Sequence, residues 1–387
     1  MWPKTEKQSE LLATAERLAA EFAPRAAAHD REASFPSENF EALRASGYLA
    51  AAIPTEYGGP GHGLDDVVLA HLALAQGDGS TALGAGMHLM VCGTEADARV
   101  WPEAVRARLF EAVLRDGAIL NNIAAEPDLG SPQGGGRPAT TLTPTGAGRW
   151  RLDGRKTFST LAPVLTHFVT YAAVDDGSGD VARVAVPRER SGMRIEETWD
   201  ALGMRASGSH DVLFEGVEVL DEDFTTRTHP GQSERGVPAW FALTVGATNL
   251  GIAEAALEYT VRFARERRPS GGPHVASIPH VREQVGRMEA LSMAARALLL
   301  QTAEDWAQHP DSRSDLGAAV AASKRLATNS AVEIVELAMR VVGGVALHRS
   351  EPLERYFRDV RAGLVNPPIE ARALETIAAS LLDVLRE

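Results

Sequence analysis

Apolar residues recur at three- and four-residue spacing through the first third of the chain. Leu11, Leu12, Ala15, Leu18, Ala19 and Phe22 form one stripe and predict a helix over residues 5–30. Phe35-Pro36-Ser37 offers an N-cap for a short helix through Leu43, stopped by Gly47. After a turn-rich stretch from Ile53 to Gly61, a helical pattern begins near Leu64 and runs to Leu114. Breaks are expected at Gly77-Asp78-Gly79, Gly93 and Pro102, and Gly117 closes this third. The texture then changes. Short runs rich in Val, Thr and Phe, at 168–174, 181–186 and 212–219, are separated by Asp175 to Gly179, Pro187 and Gly216. They predict an antiparallel β domain, either a barrel or two packed sheets. From Pro238 onward long helical stripes return: Leu250, Ala253, Leu257, Val261 and Ala264; then Met288, Leu291, Ala295 and Leu298; then Leu326, Ile334, Leu337 and Val341. Such stripes pack into a bundle of the four-helix type. The expected organisation is an N-terminal α-helical domain (1–117), a middle antiparallel β domain (118–225) and a C-terminal four-helix-bundle domain (226–387).

Composition narrows the function. The 387 residues are 44% hydrophobic and 24% charged, as in globular chains of two or three domains. A net charge of −13 argues against a nucleic-acid partner, which needs a basic patch. No run of about 18 apolar residues predicts a membrane span. The N-terminal stretch lacks the apolar core of a signal peptide, so a cytoplasmic location is expected. The single Cys92 excludes an intrachain disulfide and reads as a small buried hydrophobe. The histidines show no metal-ligand spacing, so no metal is expected. His88, on an apolar segment, reads as a core or pocket-wall residue. Lysine occurs only at Lys4, Lys7, Lys156 and Lys324, which makes Lys156 conspicuous.

The chemistry is expected between Asn121 and Ala162. Pro127, Gly130, Pro132 and Gly134 to Gly136 make a loop too rich in turn formers for helix or strand. Its backbone N–H groups can approach an anion or polar heterocycle. A run then ends in Phe158, Ser159 and Thr160, and alternation on a strand puts Phe158 and Thr160 on one side. That pair would floor and hydrogen-bond a flat cofactor.

These residues carry a resemblance. Glu126-Pro-Asp-Leu-Gly-Ser131, followed by Trp150-x-Leu-Asp-Gly-x-Lys156-x-Phe158-Ser-Thr160, resembles the flavin-binding middle domain of the acyl-CoA dehydrogenase superfamily. Pro54-x-Glu-Tyr-Gly-Gly59, the stretch from Trp199 through Arg205 and Ser207 to Phe214, and Gly343-Gly344 through Arg358-Asp359 are similar to further family segments in the same order. The resemblance implies FAD as cofactor and a homo-oligomer, dimer or tetramer. Ser131 and Phe158 would lie by the flavin, and Thr160 at its N5 edge. Ala125 stands for the family's Thr, Pro132 for Asp, Phe158 for Trp and Leu161 for Asn. Arg267, with Arg268 next, matches the arginine that binds the FAD diphosphate of a neighbouring subunit. Arg340 stands where the family has Gln, and Gly343 and Gly344 would permit close approach to the same FAD. Solvated helix-end arginines and a tight helix ending are the alternatives.

The family's catalytic carboxylate is missing. Its position, nine residues after Arg358, is Pro367, and the alternative location near Phe241 and Ala242 holds no acid. Glu370 is the nearest substitute, and it also reads as an exposed first-turn helix acid. The resemblance therefore implies three functions. The first is FAD-dependent α,β-dehydrogenation of an acyl-CoA thioester, with an electron-transfer flavoprotein as acceptor. The second is a flavin monooxygenase taking reduced flavin from a reductase and acting on a hydrophobic aromatic substrate. The third is a non-catalytic flavin- or acyl-binding homologue.

Overall fold

The computed structural model describes residues 2–128, 136–229 and 238–383. The amphipathic stripes become helices. α1 spans Glu6–Glu32, its first turn capped by Thr5 accepting from the Gln8 N–H at 3.1 Å. α2 (Ser37–Ala45) starts one residue earlier than the cap chemistry implied: Pro36 holds the cap position and Ser37 is already helical. α3 (Leu64–Gly77) and α4 (Gly79–Ala98) are divided by Asp78, whose carboxylate accepts the Ser80 and Thr81 N–H groups of α4. α5 covers Glu103–Asp116, and Gly117 follows it in left-handed geometry. Gly93 is not a break. α4 runs through it because a Cβ there would sit 2.4 Å from the Trp240 ring, so the glycine admits the indole.

Eight strands form one sheet: β1 (Leu120–Ile123), β2 (Thr141–Gly146), β3 (Arg149–Ser159), β4 (His167–Val174), β5 (Val181–Pro187), β6 (Met193–Glu196), β7 (His210–Leu220) and β8 (Phe224–Thr228). Their order is β6-β7-β3-β2-β4-β5-β8, with β1 beside β4. Two expectations are corrected. The sheet is not closed into a barrel, since no pairing joins β6 to β8 among the described residues. Nor is it wholly antiparallel: β1 and β2 share one edge of β4, and both run parallel to it. β1 leaves the helical layer in the direction that β4 later takes, and no local pattern in either strand records this.

The C-terminal helices are α6 (Ala239–Glu266), α7 (Pro279–Gln308), α8 (Gly317–Val342), the short α9 (Pro352–Asp359) and α10 (Ala362–Val365), and α11 (Glu370–Leu382). α6, α7, α8 and α11 build the bundle, and α3 and α4 pack on α6. α6 is long and apolar enough to cross a membrane, but 83% of its most apolar stretch is buried against its neighbours. Asp97 pins the helical layers together. It accepts from the indole N–H groups of Trp240 (2.7 Å) and Trp306 (2.8 Å) and from Arg313 (3.1 Å).

Helices and sheet meet at α9. Arg358 grips Asp30 of α1 with two bonds of 2.9 and 2.5 Å, and the Arg205 Nε donates to the Asp30 carbonyl at 2.8 Å. Asp359, buried, accepts the Met204 N–H at 2.7 Å. Burial pushes its carboxyl up to about 7, against the pull of Arg355. A raised folded value contributes stability below the ordinary value of 3.8 that is lost as pH rises through 7. Asp359→Asn keeps the accepting oxygen and removes the titration. Melting temperatures across pH 4 to 7 are expected to decline less steeply for this variant than for the natural chain.

Candidate functional site

The two halves of the flavin-type motif are locked together below the surface. Lys156 on β3 is fully buried, and its Nζ donates to Glu126 Oε1 at 2.6 Å. The Glu126 carboxylate also accepts the Ala139 N–H at 2.7 Å and the Thr140 N–H at 3.0 Å. Burial alone would raise this carboxyl, but the bonds from Lys156, Thr140 and Ala139 outweigh it and hold it below its usual range. Burial pushes Lys156 down to about 8 against the pull of Glu126. Ala125, half-buried, accepts the Thr157 N–H at 2.9 Å, so the backbone repeats the link one residue away. This clamp ties Glu126 to Ala139, Thr140 and Lys156, on either side of the stretch that contains Ser131. Ser131 and residues 129–135 lie outside the described residues.

At the end of β3 the strand breaks its own alternation. Lys156 faces Val212 and Ser159 faces His210, so β3 carries one more residue than β7 over this interval. The extra residue is absorbed by a bulge, and Phe158 takes a left-handed φ of 52°. The expectation that strand period puts Phe158 and Thr160 side by side is therefore corrected. Phe158 turns outward and is 68% exposed, while Thr160 lies inward at 8%. The Trp199 ring meets Phe158 edge-on, with centroids 5.9 Å apart. Thr160 Oγ1 is 2.9 Å from Ser209 Oγ, which is 2.7 Å from Ser207 Oγ. Asn121 Nδ2 donates to the Thr160 carbonyl at 2.9 Å, and the Asn121 Oδ1 is buried without a partner.

The other expected flavin ligands sit elsewhere. Arg267 follows the last residue of α6, Arg340 lies in the last turn of α8, and both are exposed. Val341, next to Arg340, packs against the cluster of Ala264, Val275 and Val281 at the end of α6. Gly343 is needed for its φ of 71°, and nothing stands within 4 Å of a Cβ built on Gly343 or Gly344. No hydrogen bond, ion pair or ring contact among the described residues joins this end of the bundle to Phe158 or Thr160.

Pro367 lies between α10 and α11. Glu370, in the first turn of α11, pairs with Arg325 at 2.6 Å and is half exposed. Sequence reasoning passed over Lys324, which anchors this same segment. Its buried Nζ donates to the carbonyls of Gly363 (2.7 Å), Asn366 (2.8 Å) and Pro368 (3.0 Å). The scarcity of lysine was a usable signal, since Lys156 and Lys324 are both buried. His88 is a satisfied core residue. It bonds Leu49 O at 2.9 Å and accepts the Leu120 N–H at 3.0 Å, and burial pushes it down to about 4. Burial likewise pushes the Cys92 thiol up to about 12. Arg205 serves the α1 junction. No group of side chains suited to a metal occurs among the described residues.

An exposed aromatic ring at the end of β3, two residues before a buried hydroxyl and two after the lysine of a buried ion pair, suits a planar heterocycle with a polar edge. The fold defines a three-domain architecture of helices, sheet and helices. Residues 5–115, 122–217 and 243–365 match the N-terminal, middle and C-terminal domains of acyl-CoA dehydrogenases. The chain belongs to the acyl-CoA dehydrogenase family. It is 38% identical to the putative acyl-CoA dehydrogenase YdbM of Bacillus subtilis (strain 168), over 95% of each chain. It is 32% identical to the amino sugar nitrososynthase RubN8 of Streptomyces rubradiris, over 98% of this chain and 90% of that one. The FMN-bound structure of TdsC from Paenibacillus sp. A11-2, a dibenzothiophene monooxygenase, superposes with a TM-score of 0.87 at 25% identity, covering 97% of both chains. The family thus includes members that are not dehydrogenases.

Proposed function

We propose that the chain is a flavin-dependent oxygenating enzyme that receives reduced flavin from a separate reductase. The observation that carries this reading is Pro367, a residue without a titratable group, where dehydrogenases of the family hold their base. The groups gathered at Thr160 are hydroxyls and an amide, from Ser209, Ser207 and Asn121. None of them bonds a carboxylate among the described residues. Glu370 is occupied by Arg325. The names of RubN8 and TdsC support the same direction.

A bound flavin supplies two electrons to O2 when reduced, or accepts a hydride when oxidised. The residues of the chain do the rest. Phe158 backs the ring and Thr160 holds its polar edge. The bulge that separates them is kept in place by the Lys156–Glu126 clamp. Arg267, Arg340, Gly343 and Gly344 reach a flavin from a second copy of the chain, so the working unit is a homo-oligomer. In the net reaction one oxygen atom enters the substrate. The other leaves as water, with two electrons and two protons from the reduced flavin.

The test is turnover with a flavin reductase, NADH and 18O2 on indole, dibenzothiophene and an amino sugar nucleotide. A product carrying one 18O atom is expected. Absence of label across the panel, with flavin bound and reduced, contradicts the proposal. The identity to YdbM favours a second reading, dehydrogenation of an acyl-CoA, for which a base must still be found.

The resemblance implies FAD, whereas the TdsC structure holds FMN. Arg267 distinguishes them, because a guanidinium suits a diphosphate. Arg267→Ala is expected to weaken FAD binding about tenfold, the loss of one charged hydrogen bond, and to leave FMN unchanged in fluorescence titrations. Unaltered FAD affinity would exclude the diphosphate role.

A further inference from the structure

We infer that Ser209 and Ser207 form a one-way hydroxyl chain that holds Thr160 as a hydrogen-bond donor toward the flavin. The inference rests on the proposed placement of the flavin at Thr160 and extends it to two residues of the neighbouring segment.

The geometry is a file of three hydroxyls leading inward. Thr160 is 8% exposed, Ser209 4% and Ser207 1%. The two links are 2.9 and 2.7 Å. The segment that carries the serines is fixed to the Thr160 turn by backbone bonds, with the Leu161 N–H on Ser207 O and the Ala162 N–H on Gly208 O, both at 3.2 Å. Gly208 takes a φ of 56° and packs against Phe35 and Pro163, so this close approach leaves no room for a side chain. Trp199, from the same segment, braces Phe158.

A hydroxyl gives one proton and accepts two through its oxygen, so a file of three can point inward, point outward or converge on Ser209. Burial decides between them: a convergent file strands the Ser209 proton, at 4% exposure and with no further acceptor among the described residues. Ser207 Oγ bonds only Ser209 among the described residues. If the chain pointed inward, the Ser207 proton would be buried with no acceptor, at a cost of about 1–3 kcal/mol. If it points outward, Ser207 donates to Ser209 and Ser209 donates to Thr160. The Thr160 proton is then directed out of the file, toward the outer face. The N5 atom of oxidised flavin accepts a hydrogen bond, while N5–H of reduced flavin donates one. An outward chain therefore favours the oxidised form at this edge.

The test measures binding of oxidised and of dithionite-reduced FMN and FAD to purified full-length protein, for Ser209→Ala, Ser209→Thr and Thr160→Val. Ser209→Ala is expected to weaken binding of the oxidised flavin three- to tenfold and to change the reduced form less than twofold. Ser209→Thr, which keeps the hydroxyl, restores the natural affinity. If Thr160→Val weakens the oxidised flavin but Ser209→Ala does not, the hydroxyl chain is refuted and the flavin placement stands. If Thr160→Val also has no effect, or no flavin binds the natural chain, the placement itself fails. Equal weakening of both redox forms by Ser209→Ala, without rescue by Thr, assigns Ser209 a packing role and overturns the inference.

Discussion

Lys156→Met is expected to destabilise the protein by about 3–5 kcal/mol, the usual cost of leaving one partner of a buried ion pair uncompensated. Glu126 would keep its bonds to the Ala139 and Thr140 N–H groups but lose the 2.6 Å ammonium contact. Its carboxylate has no exposed route to water, being only 3% exposed. The same change unties Glu126 from β3 beside the segment that contains Ser131, so flavin affinity should fall with stability. Glu126→Gln in the Lys156→Met background removes the stranded charge and is expected to recover part of the loss, which denaturant unfolding of the four proteins in the cycle would show. The pair also fixes an acid limit. The folded carboxyl titrates below its ordinary value of 4.5, so its contribution is complete above that value and is lost as pH falls through the folded one. The Lys156→Met variant should lack this component of acid sensitivity.

Lys324→Met should act on the segment that holds Pro367. Three carbonyls converge on one buried ammonium, and no carboxylate pairs with it among the described residues. Methionine fits the volume but leaves Gly363, Asn366 and Pro368 without donors. The expected cost is on the order of 3 kcal/mol, concentrated in residues 363–382. Amide exchange should accelerate in α10 and α11 before it does so in α6. Lys324→Arg is not expected to rescue, because a planar fork cannot serve three convergent acceptors as a compact ammonium does. Unchanged exchange in α11 would show that the loop is held by other contacts.

The helices were legible because long amphipathic stripes report directly on one-sided burial. α1 begins and ends within two residues of its predicted span. The exceptions are instructive. Gly93 reads as a breaker locally, yet it exists to admit Trp240, which is nearly 150 positions away. The parallel pairings of β4 depend on which strands meet, and strand patterns are blind to that. At the site, the residue types around Phe158 and Thr160 were legible and their arrangement was not. One extra residue in β3 breaks the alternation that would have put them on one side. Ser209 and Asn121 were missed because neither carries a spacing signal. Their value comes from a contact across the fold.

If the chain oxygenates its substrate as proposed, acyl thioesters are not dehydrogenated by it. The most direct measurement is the anaerobic absorption spectrum of the flavin-loaded protein, before and after addition of acyl-CoAs from short to long chain. The oxidised flavin band is expected to persist with every one of them. Bleaching by any acyl-CoA would contradict the proposal and would make the unidentified base, with Glu370 examined first, the next question.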